Sequence, residues 1–170
     1  MVANLTIGKK NYEDVAETMQ DIAAKMLKLQ AQFVADIDRD SEAYDKVFSC
    51  FKMPKVTDEE KAARSRAIQE ATKHAALVPM QIARQAFDLM PYISEVARRG
   101  NRNAVTDACV AMMAARSAVL GALLNVRINL SSLKDKEFAT QLQKESDELE
   151  SQAYAIEKDL LYEINKELRV

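Results

Sequence analysis

Residues 100–130 limit what this chain can fold into more than any other stretch. They read Gly-Asn-Arg-Asn-Ala-Val-Thr-Asp, then a long Ala/Met/Leu-rich run, then Asn-Val-Arg-Ile-Asn-Leu. At about 100° per residue, Asp107 and Asn125 lie about five turns apart on one helix and nearly in line, with Asn129 beside them. Between them, within about 60° of that line, fall Ala111, Ala114, Ala118, Gly121 and Ala122. The bulky Met112, Val119, Leu120 and Leu123 point the other way. A core helix normally carries large side chains on its inner face. A small-sided face lets another helix approach closely. With polar ends it also makes a ligand groove. The tight helix contact, with Asp107 merely favouring the positive helix end, and the groove both fit the pattern.

The whole chain sets wider bounds. Its 170 residues suffice for one domain with a real core. A formal net charge of -2 and the lack of a basic tract argue against nucleic-acid binding. Cys50 and Cys109 have no metal-ligand or redox spacing and read as buried structural thiols of a reducing, cytoplasmic compartment. His74 is the single histidine. It rules out a His-based metal cluster and reads as structural or exposed. Residues 108–130 are long enough to span a membrane. Arg116, Asn125, Arg127 and Asn129 lie inside them, and such groups are costly in lipid. The segment therefore reads as a buried helix of a soluble protein, and no secretory signal precedes it.

Helical periodicity runs through the rest. Gly8 reads as the C-cap of helical turns formed by residues 1–7, and Asn11 as the N-cap of the next helix. Val15, Met19, Ile22, Met26, Leu29 and Phe33 form a packing stripe that continues through Ile37, Tyr44, Phe48 and Phe51. Asp40 lies on that stripe, with Asp36 and Asp38 beside it. A carboxylate there is either costly or partnered. Pro54 ends the segment. Thr57-Asp-Glu-Glu60 is a capping box that opens another helix, which Pro79 kinks. Pro91 begins a short segment ending at Gly100. Asp135 caps a charged C-terminal helix with an apolar stripe of Phe138, Leu142, Leu149, Ala153, Ile156, Leu160 and Ile164. No strand pattern occurs. The expected fold is all-α, a single-domain bundle of long helices over residues 1–170, paired antiparallel in a dimer.

Several segments carry a family resemblance. They are Met1-Val-Ala-Asn-Leu-Thr-Ile-Gly-Lys-Lys10 with Tyr12; Asp38-Arg-Asp40-Ser-Glu-Ala-Tyr44; and Phe51-Lys-Met-Pro54-Lys with Thr57-Asp-Glu-Glu-Lys61. Val78-Pro79, Gly100-Asn101, Asn103-Ala-Val-Thr-Asp107 and Asn125-Val-Arg-Ile-Asn-Leu130 follow. In this order and spacing, over about 130 residues, the chain resembles the cyclodeaminase part of formiminotransferase–cyclodeaminase and the related methenyltetrahydrofolate cyclohydrolases. The C-terminal helix matches only in character. The glycine-rich turn and Ala-rich helix that the family carries before the equivalent of Met1 have no counterpart, so the N-terminal helix reads as truncated.

The resemblance implies one-carbon chemistry on tetrahydrofolate, with no cofactor beyond that substrate and no metal. The cyclodeaminase converts 5-formiminotetrahydrofolate to the 5,10-methenyl form and ammonia. The cyclohydrolase interconverts the methenyl and 10-formyl forms with water. Both pass through a tetrahedral carbon between two nitrogens and need proton transfers. Asp107 and Asp40 are the expected catalytic carboxylates, each placed on a helix face expected to be buried. Asn101, Asn103, Asn125 and Asn129 suit the donors and acceptors of a pterin, and Tyr44 joins the substrate-binding set. Lys10 and Arg102, with Lys9, Arg98 and Arg99 as further candidates, suit the carboxylates of a tail bearing one or more glutamates. Arg127 reads as a structural pairing residue.

Five turns span about 27 Å, so Asp107 and Asn125 of one straight helix cannot meet at one carbon. Two such helices packed antiparallel across a two-fold axis bring Asp107 of one chain to Asn125 of the other. A homodimer with folate sites at its interface is therefore expected, with neither nucleic acid nor membrane as partner. A non-catalytic helical assembly module with an incomplete pocket is the alternative.

Overall fold

The structure, a computed structural model, describes residues 1–168. It contains four helices: α1 (Ala16–Phe51), α2 (Asp58–Arg99), α3 (Val105–Leu130) and α4 (Lys136–Leu168). Single 3-10 turns at Glu13–Val15 and Arg102–Ala104 lead into α1 and α3. No strand occurs among the described residues, as the all-α reading requires.

Most boundaries have the expected chemistry. Thr57 Oγ1 accepts the Glu60 N–H at 3.2 Å while the Glu60 carboxylate accepts the Thr57 N–H at 3.1 Å. This reciprocal pair opens α2, with acidic residues at the positive helix end. Asp135 Oδ1 accepts the Phe138 N–H at 3.1 Å and opens α4. Near the N-terminus the Leu5 and Ile7 amides donate to the Met1 and Ala3 carbonyls, and Gly8 ends these turns at φ 72°. Asn11 does not cap α1. It takes a left-handed φ of 71°, which its short polar side chain tolerates, and Tyr12 precedes the 3-10 turn.

Pro91 does not begin a new segment. α2 runs unbroken through both Pro79 and Pro91. A proline removes one backbone bond, but α2 is the central helix, packed by α1, α3 and α4, and these neighbours hold it. α3 and α4 also pack on each other, whereas α1 and α3 flank α2 without extensive mutual contact. The core is built from Met19, Met80, Met90, Met112, Leu123 and Leu160, with Ala76, Ala83 and Ala86 of α2 letting the backbones approach. Every residue of the expected α4 stripe is buried or half-buried in that core. Around α4, Arg84 meets Glu145, Arg98 meets Glu163, Arg116 meets Glu157, and Arg127 meets Asp147 and Glu150.

Two expectations of burial are corrected. The α1 stripe is buried or half-buried through Phe33, but Ile37, Tyr44, Phe48 and Phe51 are exposed, Tyr44 by 68%. The residues facing inward are instead Asp36, Ala43 and Cys50, which precede Ile37, Tyr44 and Phe51 by one position. The contact line with α2 winds around α1 while the stripe stays in line, so the two part company after Phe33. Asp40 is therefore exposed and not desolvated. The buried, partnered carboxylate is Asp36. Its Oδ1 accepts from Gln32 at 3.0 Å and from Arg39 at 2.5 Å, and Arg39 reaches Gln81 on α2 at 2.9 Å.

α3 is likewise not enclosed. Met112, Val119, Leu123 and Val126 are buried, but Val110, Met113, Leu124 and Ile128 are exposed. Ala111, Ala114, Ala118 and Gly121 face outward as well, and of the small stripe only Ala122 is buried. Residues Arg102–Leu130 are long and apolar enough to cross a membrane by length and composition. Their uncovered face meets neither α2 nor α4.

Candidate functional site

The gap between α1 and α3 forms a cavity of about 460 Å³ above α2. Leu89, Ile93 and Val96 of α2 form its floor, Met26 of α1 one wall, and Ala111 and Ala118 of α3 the other. A second recess shares Met26 and Leu89 and extends the groove to Phe33 and Ile37. Among the described residues, Asp107 and Tyr92 are the only polar side chains lining the main cavity. An apolar slot with few polar groups is the form that ligand sites commonly take.

Asp107 stands in the first turn of α3, exposed in the single chain, where the positive helix end favours a carboxylate. The desolvation expected for it does not occur, because no second helix covers this side of α3. Nearby, Asn101 is 8% exposed and committed to the fold. Its N–H donates to Thr6 Oγ1 at 2.9 Å and its Nδ2 to the Leu5 carbonyl at 3.1 Å. Its Oδ1 accepts from Lys9 at 2.7 Å and from the Asn103 N–H at 3.1 Å. Asn103 and Lys10 are exposed. The arginines expected to hold a carboxylate tail are paired already: Arg98 with Glu163, Arg99 with Glu95, Arg102 with Glu167. The Glu163 hydrogen bond raises the pKa of Arg98 further.

The remaining expected residues gather near the middle of α2. Arg39 bonds Gln81, and Asn129 Nδ2 donates to the Ala75 carbonyl at 3.1 Å. Asp40, Tyr44, Asn125 and Asn129 therefore share one level of the bundle. Asn125 Nδ2 donates to the Gly121 carbonyl at 3.3 Å, and Asn129 Nδ2 also reaches the Asn125 carbonyl at 2.9 Å. Asp40 lies 14 residues beyond Met26, about 21 Å along α1. One chain thus does not bring Asp107 together with Asp40 or Asn125.

No sequence pattern links Tyr92 to Lys25. They are 67 residues apart, and only the antiparallel pairing of α1 and α2 joins them. Lys25 Nζ donates to the Tyr92 hydroxyl at 3.3 Å and sits 4.8 Å from the ring centroid. Arg127 pairs with Asp147 and Glu150 as expected. A recess of about 880 Å³ beside it, between α3 and α4, is thereby lined by an arginine already in use. Cys50 and Cys109 are buried free thiols, and burial pushes Cys109 up in pKa, away from nucleophilic use. His74 is exposed. Among the described residues, no three His, Cys, Asp or Glu side chains are grouped to hold a metal ion.

Known proteins resemble this chain in sequence and in fold. Residues 1–148 match the family model described as Formiminotransferase-cyclodeaminase. The chain is 39% identical over 166 residues to a methenyltetrahydrofolate cyclohydrolase of Methylorubrum extorquens, covering 98% of this chain and 79% of that protein. It is 33% identical over 138 residues to the formimidoyltransferase-cyclodeaminase of Rattus norvegicus, covering 81% of this chain but 26% of the rat protein. The crystal structure of formiminotetrahydrofolate cyclodeaminase from Thermotoga maritima matches with a TM-score of 0.79 at 30% identity, over 96% of this chain and 79% of that one. The sequence match over residues 1–148 and the shared fold agree, and the chain belongs to the formiminotransferase-cyclodeaminase family.

Proposed function

We propose that this protein is a cytoplasmic enzyme of folate one-carbon metabolism that adds water to 5,10-methenyltetrahydrofolate and opens it to the 10-formyl form. The observation that carries this reading is Asp107, the one carboxylate among the described residues lining a mostly apolar groove of about 460 Å³. A base is what the attack of water on the methenyl carbon requires. The 39% identity to a cyclohydrolase over nearly the whole chain favours hydration. The second reading, loss of ammonia from 5-formiminotetrahydrofolate, is favoured by the likeness to the Thermotoga cyclodeaminase. Neither reaction calls for a metal or a redox cofactor.

The active form is a homodimer. The outward face of α3 joins small residues to exposed Val110, Leu124 and Ile128, and the outer half of the α1 stripe is uncovered too. Apolar faces of this extent mark association surfaces. An antiparallel two-fold contact along α3 brings Asp107 to the level of Asn125 of the partner subunit, and of Asp40 of the partner subunit as well. Purified protein mixed with the methenyl folate should bleach its near-ultraviolet absorbance faster than buffer alone. Formation of the same band from the formimino substrate would identify the deaminase instead. No rate with either substrate, or a monomer mass by light scattering at working concentration, would contradict the proposal and leave a helical assembly module.

A further inference from the structure

We propose that the Tyr92 hydroxyl is the proton donor of the groove, acting opposite Asp107 and oriented by Lys25, a role that rests on the folate reading above. Asp107 and Tyr92 are the two polar side chains lining the cavity. An ionised carboxylate only accepts hydrogen bonds, so the phenol is the one lining side chain that donates from oxygen. Lys25 lies outside the lining, on α1, and its ammonium has no acceptor capacity. At 3.3 Å the bond must run from Nζ to the phenol oxygen, which leaves the Tyr92 O–H to point elsewhere. A hydroxyl that accepts from a cation is polarised and donates more strongly. The ammonium also lies 4.8 Å from the ring centroid and holds the ring in place. The other charged groups near Tyr92 on α2 are Glu95, paired with Arg99 at 2.6 Å, and exposed Asp88.

A groove with one acceptor and one activated donor matches what the reaction needs. In hydration, the water oxygen forms a bond to the methenyl carbon and Asp107 takes one water proton. The bond from that carbon to N5 then breaks with its electron pair on N5, which takes the Tyr92 proton. The remaining hydroxyl becomes the formyl carbonyl, and its proton returns to the tyrosinate through solvent. One methenyl cation and one water give a neutral 10-formyl product and one proton, left on Asp107 for release. In cyclodeamination the same pair would take the N10 proton and give one to the departing amine.

Tyr92→Phe keeps the ring, its packing and the cation above it, and removes only the hydroxyl. Expected is a fall in kcat of about 100-fold or more, with KM nearly unchanged and helicity and Tm retained. Lys25→Met, at an exposed position, should lower kcat with KM nearly unchanged, and Lys25→Arg should restore kcat. A folded Tyr92→Phe variant with wild-type kcat overturns the proposal, as does a wild-type kcat in Lys25→Met. Wild-type protein that turns over neither folate overturns the functional reading and this role with it. An active wild type with an indifferent Tyr92→Phe overturns this role alone.

Discussion

The side-chain amide of Asn129 donates to the backbone carbonyl of Ala75 at 3.1 Å, across the α2–α3 contact. That carbonyl is available because Pro79, four residues on, has no N–H to offer it. Asn129 thus does for α2 what the missing backbone bond cannot. Asn129→Ala should cost about 1–3 kcal/mol by leaving the carbonyl unsatisfied. Urea unfolding checks it. In a Pro79→Ala background that can restore the helical bond, the cost of Asn129→Ala should shrink. Equal costs in both backgrounds would contradict the linkage.

Gly100 and Gly121 should respond oppositely to alanine. A Cβ at Gly100 would lie 2.4 Å from the Val96 carbonyl oxygen and 3.2 Å from Thr6 Oγ1. Gly100→Ala should therefore destabilise by about 1–3 kcal/mol and loosen the turns of residues 1–7 that Asn101 anchors. Calorimetry reads this as a lowered Tm.

A Cβ at Gly121 meets nothing within 4 Å in its own chain. Gly121→Ala should raise helix stability by up to about 1 kcal/mol. If α3 packs on α3 of a partner, the same methyl should weaken the dimer. Sedimentation across a dilution series separates the two effects, and an unchanged dimer constant would place the subunit contact elsewhere.

Acid should loosen α4. The Lys73 hydrogen bond, then the Phe138 N–H, hold Asp135 below its ordinary pKa, and the Arg98 hydrogen bond does the same for Glu163. Carboxyls depressed in the folded state stabilise it fully above the ordinary range, and that contribution is lost as pH falls through their lowered values. Tm should hold steady near neutrality and fall below about pH 4. Asp135→Asn should flatten that fall, and a profile identical to wild type would exclude this pair as its source.

How much of this was legible in the sequence depended on range. The capping box at Thr57, the Asp135 cap, the Gly8 stop and the α4 stripe are local signals, and each appears as read. Pro91 misled because whether a proline breaks a helix depends on neighbours, and α2 has them on several sides. The α1 stripe was read correctly as apolar, but its burial depends on where α2 crosses it, which turned Asp36 inward and Asp40 outward. Asp107 lines the groove together with Ala111, Ala114 and Ala118, the small residues that mark it in the sequence. Asn101 and Asn129 have the side chains of pterin ligands, yet within the chain their bonds serve the fold. Tyr92 and Lys25 belong to no shared periodicity, and only the fold joins them.

The proposed dimer would bring Asp107 of one protomer and Asp40 of its partner to one working site. Mixing Asp107→Asn with Asp40→Asn protein, after reversible dissociation, tests it most directly. Each variant alone should be nearly inactive. In a two-fold dimer, a mixed pair holds one intact site and one doubly altered site. Random reassociation should therefore restore about a quarter of the wild-type rate of methenyl-folate hydrolysis. If the mixture stays as inactive as its parents while mixed dimers demonstrably form, the two carboxylates do not serve a shared site.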